Sequence, residues 1–232
     1  MRKNYNEMVS NLLVFLAGKT GCGKSFALNY LLHREYELKR RAGIVCLDLR
    51  SDHLNLLKLP DFHYLRISAN ILHNYDLNWA GILAEYPYLI IEPYKLSREE
   101  YEKLADDIAE GIIEVGNRIY VLEESGLAFP VYTGIRRNLS VLITTGRKLG
   151  IDFYFTSQRP SFVSTVAVSQ ANIRICFSFD DLNDLQRMRT YFSDIDLSQL
   201  KRFEFVARNE FTHNQIIGNT SNLKVVDKII WG

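Results

Sequence analysis

The chain has 232 residues, 47% of them apolar and 24% charged, with a formal net charge of +1. That is the balance of an ordinary soluble globular protein with ample chain for a core, and it gives no global sign of a polyanion partner. Any surface for nucleic acid must therefore be local, or summed over several subunits. Three cysteines, Cys22, Cys46 and Cys176, are odd in number and far apart, which predicts reduced thiols and a cytoplasmic protein without a disulfide framework.

The N-terminal Met1-Arg2-Lys3-Asn4-Tyr5-Asn6-Glu7 is too polar for a signal peptide, and no apolar run approaches the roughly 20 residues that cross a bilayer. The first element is an apolar run, Leu12 to Leu16, predicted as a strand. It is followed by Gly18-Lys19-Thr20-Gly21-Cys22-Gly23-Lys24-Ser25 and a helix opening at Phe26 and running to about Arg34. The spacing G-x-x-x-x-G-K-S between strand and helix is the Walker A arrangement. Its glycines let backbone N–H groups converge on phosphate oxygens, to which the helix adds its partial positive end. Gly18, Lys19, Thr20, Gly21, Cys22, Gly23, Lys24, Ser25 and Phe26 are the expected nucleotide-binding set. Lys24 lies along the β- and γ-phosphates, and the Ser25 hydroxyl holds Mg²⁺.

Gly43 to Leu49 has the continuous apolar character of a strand buried on both faces. Asp48 at its end is either a ligand-facing acid or a loop cap. Residues 54–84 are broken by Pro60, several Asn and two His, and they carry no clear period. His53, His63 and His73 lack the spacing of a metal site and read as structural. A strand follows at Tyr88 to Pro93. Ser97-Arg98-Glu99-Glu100 then opens a helix with a capping box, and Tyr101, Leu104, Ile108, Ile112 and Val115 form its apolar stripe.

The strand Arg118 to Leu122 runs into Glu123 and Glu124. Two acids after an apolar strand, downstream of a phosphate loop, are the expected second half of a nucleotide-hydrolysing site. Glu123 holds Mg²⁺ through water and Glu124 orients or deprotonates the attacking water. A helix is expected over Thr133 to Lys148, a strand over Ile151 to Thr156, and then Gln158, placed to reach a γ-phosphate or the attacking water. A helix near Val163 to Gln170, a strand from Ile173 to Phe179, a charged helix over Asp180 to Phe192 and a closing hairpin (Phe203–Ala207, Gln215–Ile217) complete the chain. Strands alternating with helices predict an α/β fold of the P-loop NTPase (RecA/ASCE-like) class: a doubly wound, mostly parallel sheet in one motor domain, residues 1–232.

Thr145-Gly146-Arg147-Lys148-Leu149-Gly150-Ile151, then Ser157-Gln158-Arg159-Pro160, then Ser169-Gln170-Ala171-Asn172-Ile173-Arg174-Ile175, is a succession that resembles the HerA/FtsK superfamily of P-loop motor ATPases. The resemblance implies ATP and Mg²⁺ as cofactors, with Lys24 and Ser25 on nucleotide and metal. It implies Glu124 as catalytic acid, Gln158 as sensor glutamine and Arg147 as a finger reaching the neighbouring subunit's site. Arg136, Arg137 and Arg174 are the alternatives to Arg147, and Glu123 stands where the family usually has Asp.

A bare motor of this length is most similar to the genome-packaging ATPases of membrane-containing, double-jelly-roll viruses. That implies double-stranded DNA as partner, a homo-oligomeric ring (hexamer or pentamer), capsid or membrane-vertex proteins as further partners, and the host cytoplasm or virion as location. The alternatives are a conjugation- or secretion-type ATPase, a HerA-like DNA-processing ATPase, and a P-loop nucleotide kinase, which would give Glu124 and Gln158 no work. Gly126 to Pro130 and Ser161 to Val163 are candidate pore loops, with Phe129 and Phe162 read as packing residues.

Overall fold

The computed structural model describes residues 11–192 and 194–223, and for Arg147 the backbone alone. Nine strands form one sheet: β1 (Leu13–Ala17), β2 (Ile44–Leu47), β3 (His63–Ser68), β4 (Tyr88–Tyr94), β5 (Ile119–Leu122), β6 (Asp152–Ser157), β7 (Ile173–Cys176), β8 (Glu204–Asn209) and β9 (Gln215–Asn219). Their order is β3-β4-β2-β5-β6-β1-β7-β8-β9. The first seven run parallel, whereas β8 and β9 form the antiparallel hairpin expected at the chain's end. The P-loop NTPase architecture expected from the sequence is the one observed.

Eight helices connect the strands among the described residues: α1 (Lys24–Leu38), α2 (Ala69–Asn74), α3 (Trp79–Glu85), α4 (Arg98–Val115), α5 (Ser125–Ala128), α6 (Arg137–Thr145), α7 (Thr165–Gln170) and α8 (Leu182–Arg189). The central strands are buried on both faces, which is why they read as unbroken apolar runs rather than alternating ones. One face packs against α4, α6 and α7 around Phe15, Tyr120, Phe153 and Phe155, and the other against α1 around Val14, Leu28, Val121 and Tyr154.

The start of β1, whose far end carries the phosphate loop, is pinned from both sides. Asp152 Oδ1 accepts from Leu12 N at 2.7 Å and Asn172 Oδ1 from Leu13 N at 3.0 Å. Asp152 is itself neutralised by Arg40 (3.0 Å) and Arg41 (2.8 Å), and Arg40 also pairs with buried Glu35 at 2.6 Å. A buried carboxylate is tolerable only with such partners. The Glu35 contacts also keep α1 helical to Leu38, past the end expected at Arg34.

Other elements depart from expectation for local reasons. The helix anticipated over Thr133 to Lys148 begins at Arg137 and gives way after Thr145 to a 3-10 turn. Gly134 at φ +80° interrupts it upstream, and the Asp106 carboxylate of α4 accepts from Leu139 N (2.9 Å) and Asn138 Nδ2 (3.1 Å) to start it. The capping box at Ser97 and Glu100 forms as expected, with both reciprocal hydrogen bonds. Residues 54–84, unreadable from pattern, hold the edge strand β3, which pairs parallel to β4 in full register. The three cysteines are free and buried. No helix among the described residues is long and apolar enough to cross a membrane.

Candidate active site

In a parallel sheet the carboxyl ends of the strands open onto one edge, where ligands bind. Here the neighbours β2, β5, β6 and β1 end respectively in Asp48, Glu123 with Glu124, Gln158 and the loop Gly18–Ser25. Residues separated by more than a hundred positions therefore become adjacent because their strands are.

The loop is a backbone construction. Gly23 caps α1 at φ +105°, a conformation closed to L side chains, and a Cβ there would lie 2.8 Å from Thr220 Cγ2. At Gly18 the limit is space: a Cβ would meet Phe177 Cβ at 2.6 Å and Cys22 Sγ at 2.8 Å. Cys22 turns its side chain into the core, and burial pushes its thiol pKa up, so its contribution to the loop is its backbone. Lys19 pairs with Asp180 at 2.6 Å on the exposed side. Lys24 is buried to 7% exposure, yet no described residue offers its ammonium a hydrogen bond or ion pair. Phe26, 64% exposed, projects from the first turn of α1.

The Ser25 hydroxyl donates to Asp52 Oδ2 at 2.7 Å. Asp52 belongs to the loop after β2, which Asp48 organises by accepting from Arg50 N, Asp52 N and His53 N at 3.3, 3.0 and 2.8 Å. Asp48 is thus a loop cap, one of its two expected readings. It is also part of a fully buried cluster with His53 and Glu123, whose candidate ligand atoms lie within 4.8 Å of one another. His53 Nδ1 lies 2.7 Å from Asn29 Oδ1, and its Nε2 faces Glu123 Oε1 at 3.1 Å.

Burial alone would lower the His53 pKa, but the hydrogen bond and charge of Glu123, with Asp48 behind it, carry the net shift upward. For Glu123 burial works upward, and His53, Asp48 and Lys24 outweigh it, holding the carboxyl well below its ordinary range. Asp48, desolvated and beside another acid, is pushed up to about 6. Glu123 Oε2 is buried and has no hydrogen-bond partner among the described residues. Buried carboxylate oxygens are normally satisfied, so this orphan, in a cluster linked through His53 and Asp52 to Ser25, fits a divalent cation.

Glu124 sits in left-handed backbone at φ +47°. Its Oε1 accepts from Gln158 N at 3.3 Å and Ser157 Oγ at 3.4 Å, and its Oε2 lies 4.0 Å from Arg50 Nη2. The Gln158 amide is oriented so that both ends are satisfied: Nε2 donates to Thr20 Oγ1 at 2.8 Å and the oxygen accepts from Arg50 at 2.5 and 3.0 Å. Gln158 therefore links the Thr20 loop to Glu124.

Of the arginine alternatives, Arg174 is excluded as a finger. It is buried, pairs with Glu210, stacks on Tyr191 and donates to the Val168 and Ser169 carbonyls. Arg136 lies 3.8 Å from Glu102, Arg137 is exposed, and the Arg147 side chain lies outside the described residues. Phe129 is buried as expected. Phe162 is not a packing residue: it is 51% exposed, with the Arg159 guanidinium 4.8 Å over its ring. The sequence reading missed Arg50 and Asp52 and took His53 as structural, whereas it stands in a cluster with Asp48 and Glu123; the one signal for all three was position, directly after a buried strand ending in an acid.

A phosphate loop after β1 with acids after its second neighbour, in this strand order, defines a P-loop nucleotide-binding protein. The family model for the central domain of helicase HerA matches residues 4–120, which is half of the 232-residue chain, and the chain belongs to that family. No curated protein matches.

Among solved structures, the genome packaging NTPase B204 of Sulfolobus turreted icosahedral virus 2, in complex with AMP, aligns at TM-score 0.67 and 14% identity, over 91% of this chain and 98% of that one. VirB4 of Thermoanaerobacter pseudethanolicus aligns at 0.65 and 12%, over 92% and 90%. EccC of Thermomonospora curvata, in complex with a signal sequence peptide, aligns at 0.57 and 11%, over 94% of this chain and 37% of that one. At these identities the likeness is one of fold.

Proposed function

We propose that this chain, residues 1–232 as one motor unit, hydrolyses ATP to move double-stranded DNA as a homo-oligomeric ring of five or six copies. The observation that carries the reading is the row of groups along one sheet edge: Glu123 with its orphaned oxygen, Glu124, Gln158 bonded to the phosphate loop, and Lys24, whose ammonium has no partner among the described residues. Ser25 and Glu123, with Asp52 on Ser25, are the residues that would hold Mg²⁺. Held there, the ion would supply positive charge to offset that of the phosphates.

Lys24 neutralises charge on the transferred phosphoryl group. Glu124 accepts a proton from the attacking water as its oxygen bonds to the γ-phosphorus and ADP leaves, and Gln158 orients that water. Arg147 from a neighbouring copy supplies the positive charge that stabilises the transition state, a contribution of roughly 10³ to 10⁵ in rate. The near-neutral chain suits DNA through summation, since a ring adds a few cations per copy into one channel.

Within this reading, packaging of a viral genome is the finer assignment. It is motivated by the B204 likeness and would bring capsid or membrane-vertex proteins as partners in host cytoplasm or virion. The test is steady-state ATP hydrolysis with and without double-stranded DNA. DNA should raise the rate, and Glu124→Gln should cut it by about 10² to 10⁴ while leaving ATP binding intact. Hydrolysis indifferent to DNA would overturn the DNA motor and favour a protein cargo, as the EccC likeness does. Phosphoryl transfer to a small acceptor would favour a kinase.

A further inference from the structure

The chemistry above uses the inner part of the cavity beside the phosphate loop, and none of it uses the rim. The cavity, about 380 Å³, is lined by the loop, Arg50, Asp52 and Gln158, by Phe26, and by Arg202 and Phe203 from the turn entering β8. That turn is closed by Glu204 N donating to Lys201 O at 3.0 Å and Lys201 N to Glu204 Oε2 at 2.9 Å. Phe203 occupies its third position at φ +70°, a conformation that glycine adopts freely and a bulky side chain only under strain.

Core burial does not account for a strained aromatic here, because Phe203 is 39% exposed. The turn is nevertheless held against the phosphate loop. Phe203 O accepts from Thr220 N at 2.9 Å, and the ring comes within 3.3 Å of where a Cβ on Gly23 would stand. Arg202 Nε donates to Gly21 O at 3.4 Å, and its guanidinium lies 4.7 Å over the Phe203 ring. Strained backbone that persists at a cavity rim is characteristic of ligand clamps. A ring face topped by a guanidinium presents the chemistry that holds a flat heteroaromatic base by stacking and cation–π attraction.

We infer that Arg202 and Phe203, with Phe26 on the same rim, form the base-binding end of the nucleotide site. The inference rests on the proposed nucleotide binding and adds to it where affinity for the nucleoside, as distinct from the phosphates, originates. Phe203→Gly is the informative variant, because glycine accepts φ +70° and so removes the ring while keeping the turn.

Calorimetric titration with MgATP and with inorganic tripolyphosphate should show Phe203→Gly weakening ATP by about 10- to 100-fold, the range of a lost aromatic–base stack, with tripolyphosphate unchanged. Phe203→Tyr should restore ATP binding, and Arg202→Ala should show a smaller loss of the same kind. Unchanged ATP affinity in Phe203→Gly, or equal losses for ATP and tripolyphosphate, would overturn the inference. If wild type bound neither compound, or bound both no better than Lys24→Ala, the nucleotide-binding reading itself would fall.

Discussion

The phosphate loop and the Asp48–His53–Glu123 cluster occupy the same sheet edge and are built from opposite materials. The loop is contiguous backbone, shaped by glycines and a helix terminus, and its chemistry survives in a short motif. The cluster is made of side chains from two strand ends and a loop, buried among apolar neighbours, and it exists only because β2 and β5 are paired. A backbone site is disrupted by adding atoms, whereas a buried charged site is disrupted by removing one partner and stranding the other. The two should therefore respond differently to substitution.

The largest effect is expected from His53→Ala, which strands buried Glu123 without the imidazole 3.1 Å from its Oε1. Breaking a buried pair costs about 3–5 kcal/mol, read as a lower midpoint in urea unfolding; a loss below about 1 kcal/mol would show that Glu123 is not held by this contact. Next is Gly23→Ala, which forces a side chain into φ +105° and into Thr220. It should cost about 1–3 kcal/mol of backbone strain and, in calorimetry, most of the affinity for both ATP and tripolyphosphate. A variant with wild-type affinity would mean that the loop tolerates the Cβ and that the cradle is not as tight as described.

A smaller effect separates the two regions by pH. Asp48 is raised from 3.8 to about 6 and His53 is raised above 6.5. For groups shifted upward the folded state binds more protons, so their stabilisation is complete below the ordinary pKa and is lost as pH climbs through the folded one. The stabilisation from Glu123, shifted down, is complete above its ordinary range and lost only as pH falls below it, so it does not oppose this trend near neutrality. Melting temperature without nucleotide should therefore fall as pH climbs through about 6, and Asp48→Asn should flatten part of that slope. Identical slopes in both proteins would rule out Asp48 as a contributor. The smallest change is expected of Phe162→Ser. Being exposed, it should shift stability by no more than about 0.5 kcal/mol; a larger loss would return it to the packing role the sequence reading assigned.

Legibility follows the same division. Contiguous physics was readable: the Gly18–Ser25 loop, the Ser97–Glu100 capping box, the buried central strands and the terminal hairpin all stand where local pattern put them. The loop 48–53 was not, because Asp52 on Ser25 and His53 on Glu123 are contacts across elements with no local signature. Phe203 was hidden differently, since it read as the first residue of a strand while its backbone conformation places it on the rim of the cavity. Arg174, one of three alternatives to Arg147 as a finger, could not be told from the others by pattern, and packing makes it a buried anchor paired with Glu210.

By itself the sequence determined the fold class, the strand–loop–helix around Gly18–Ser25 and the strand ends that carry acids, since each depends on periodicity or on a short run of residue types. Only the tertiary structure decided which distant side chains share the site edge and which arginines are already committed. Strand order and burial set those, and both arise from interactions between residues that are remote along the chain.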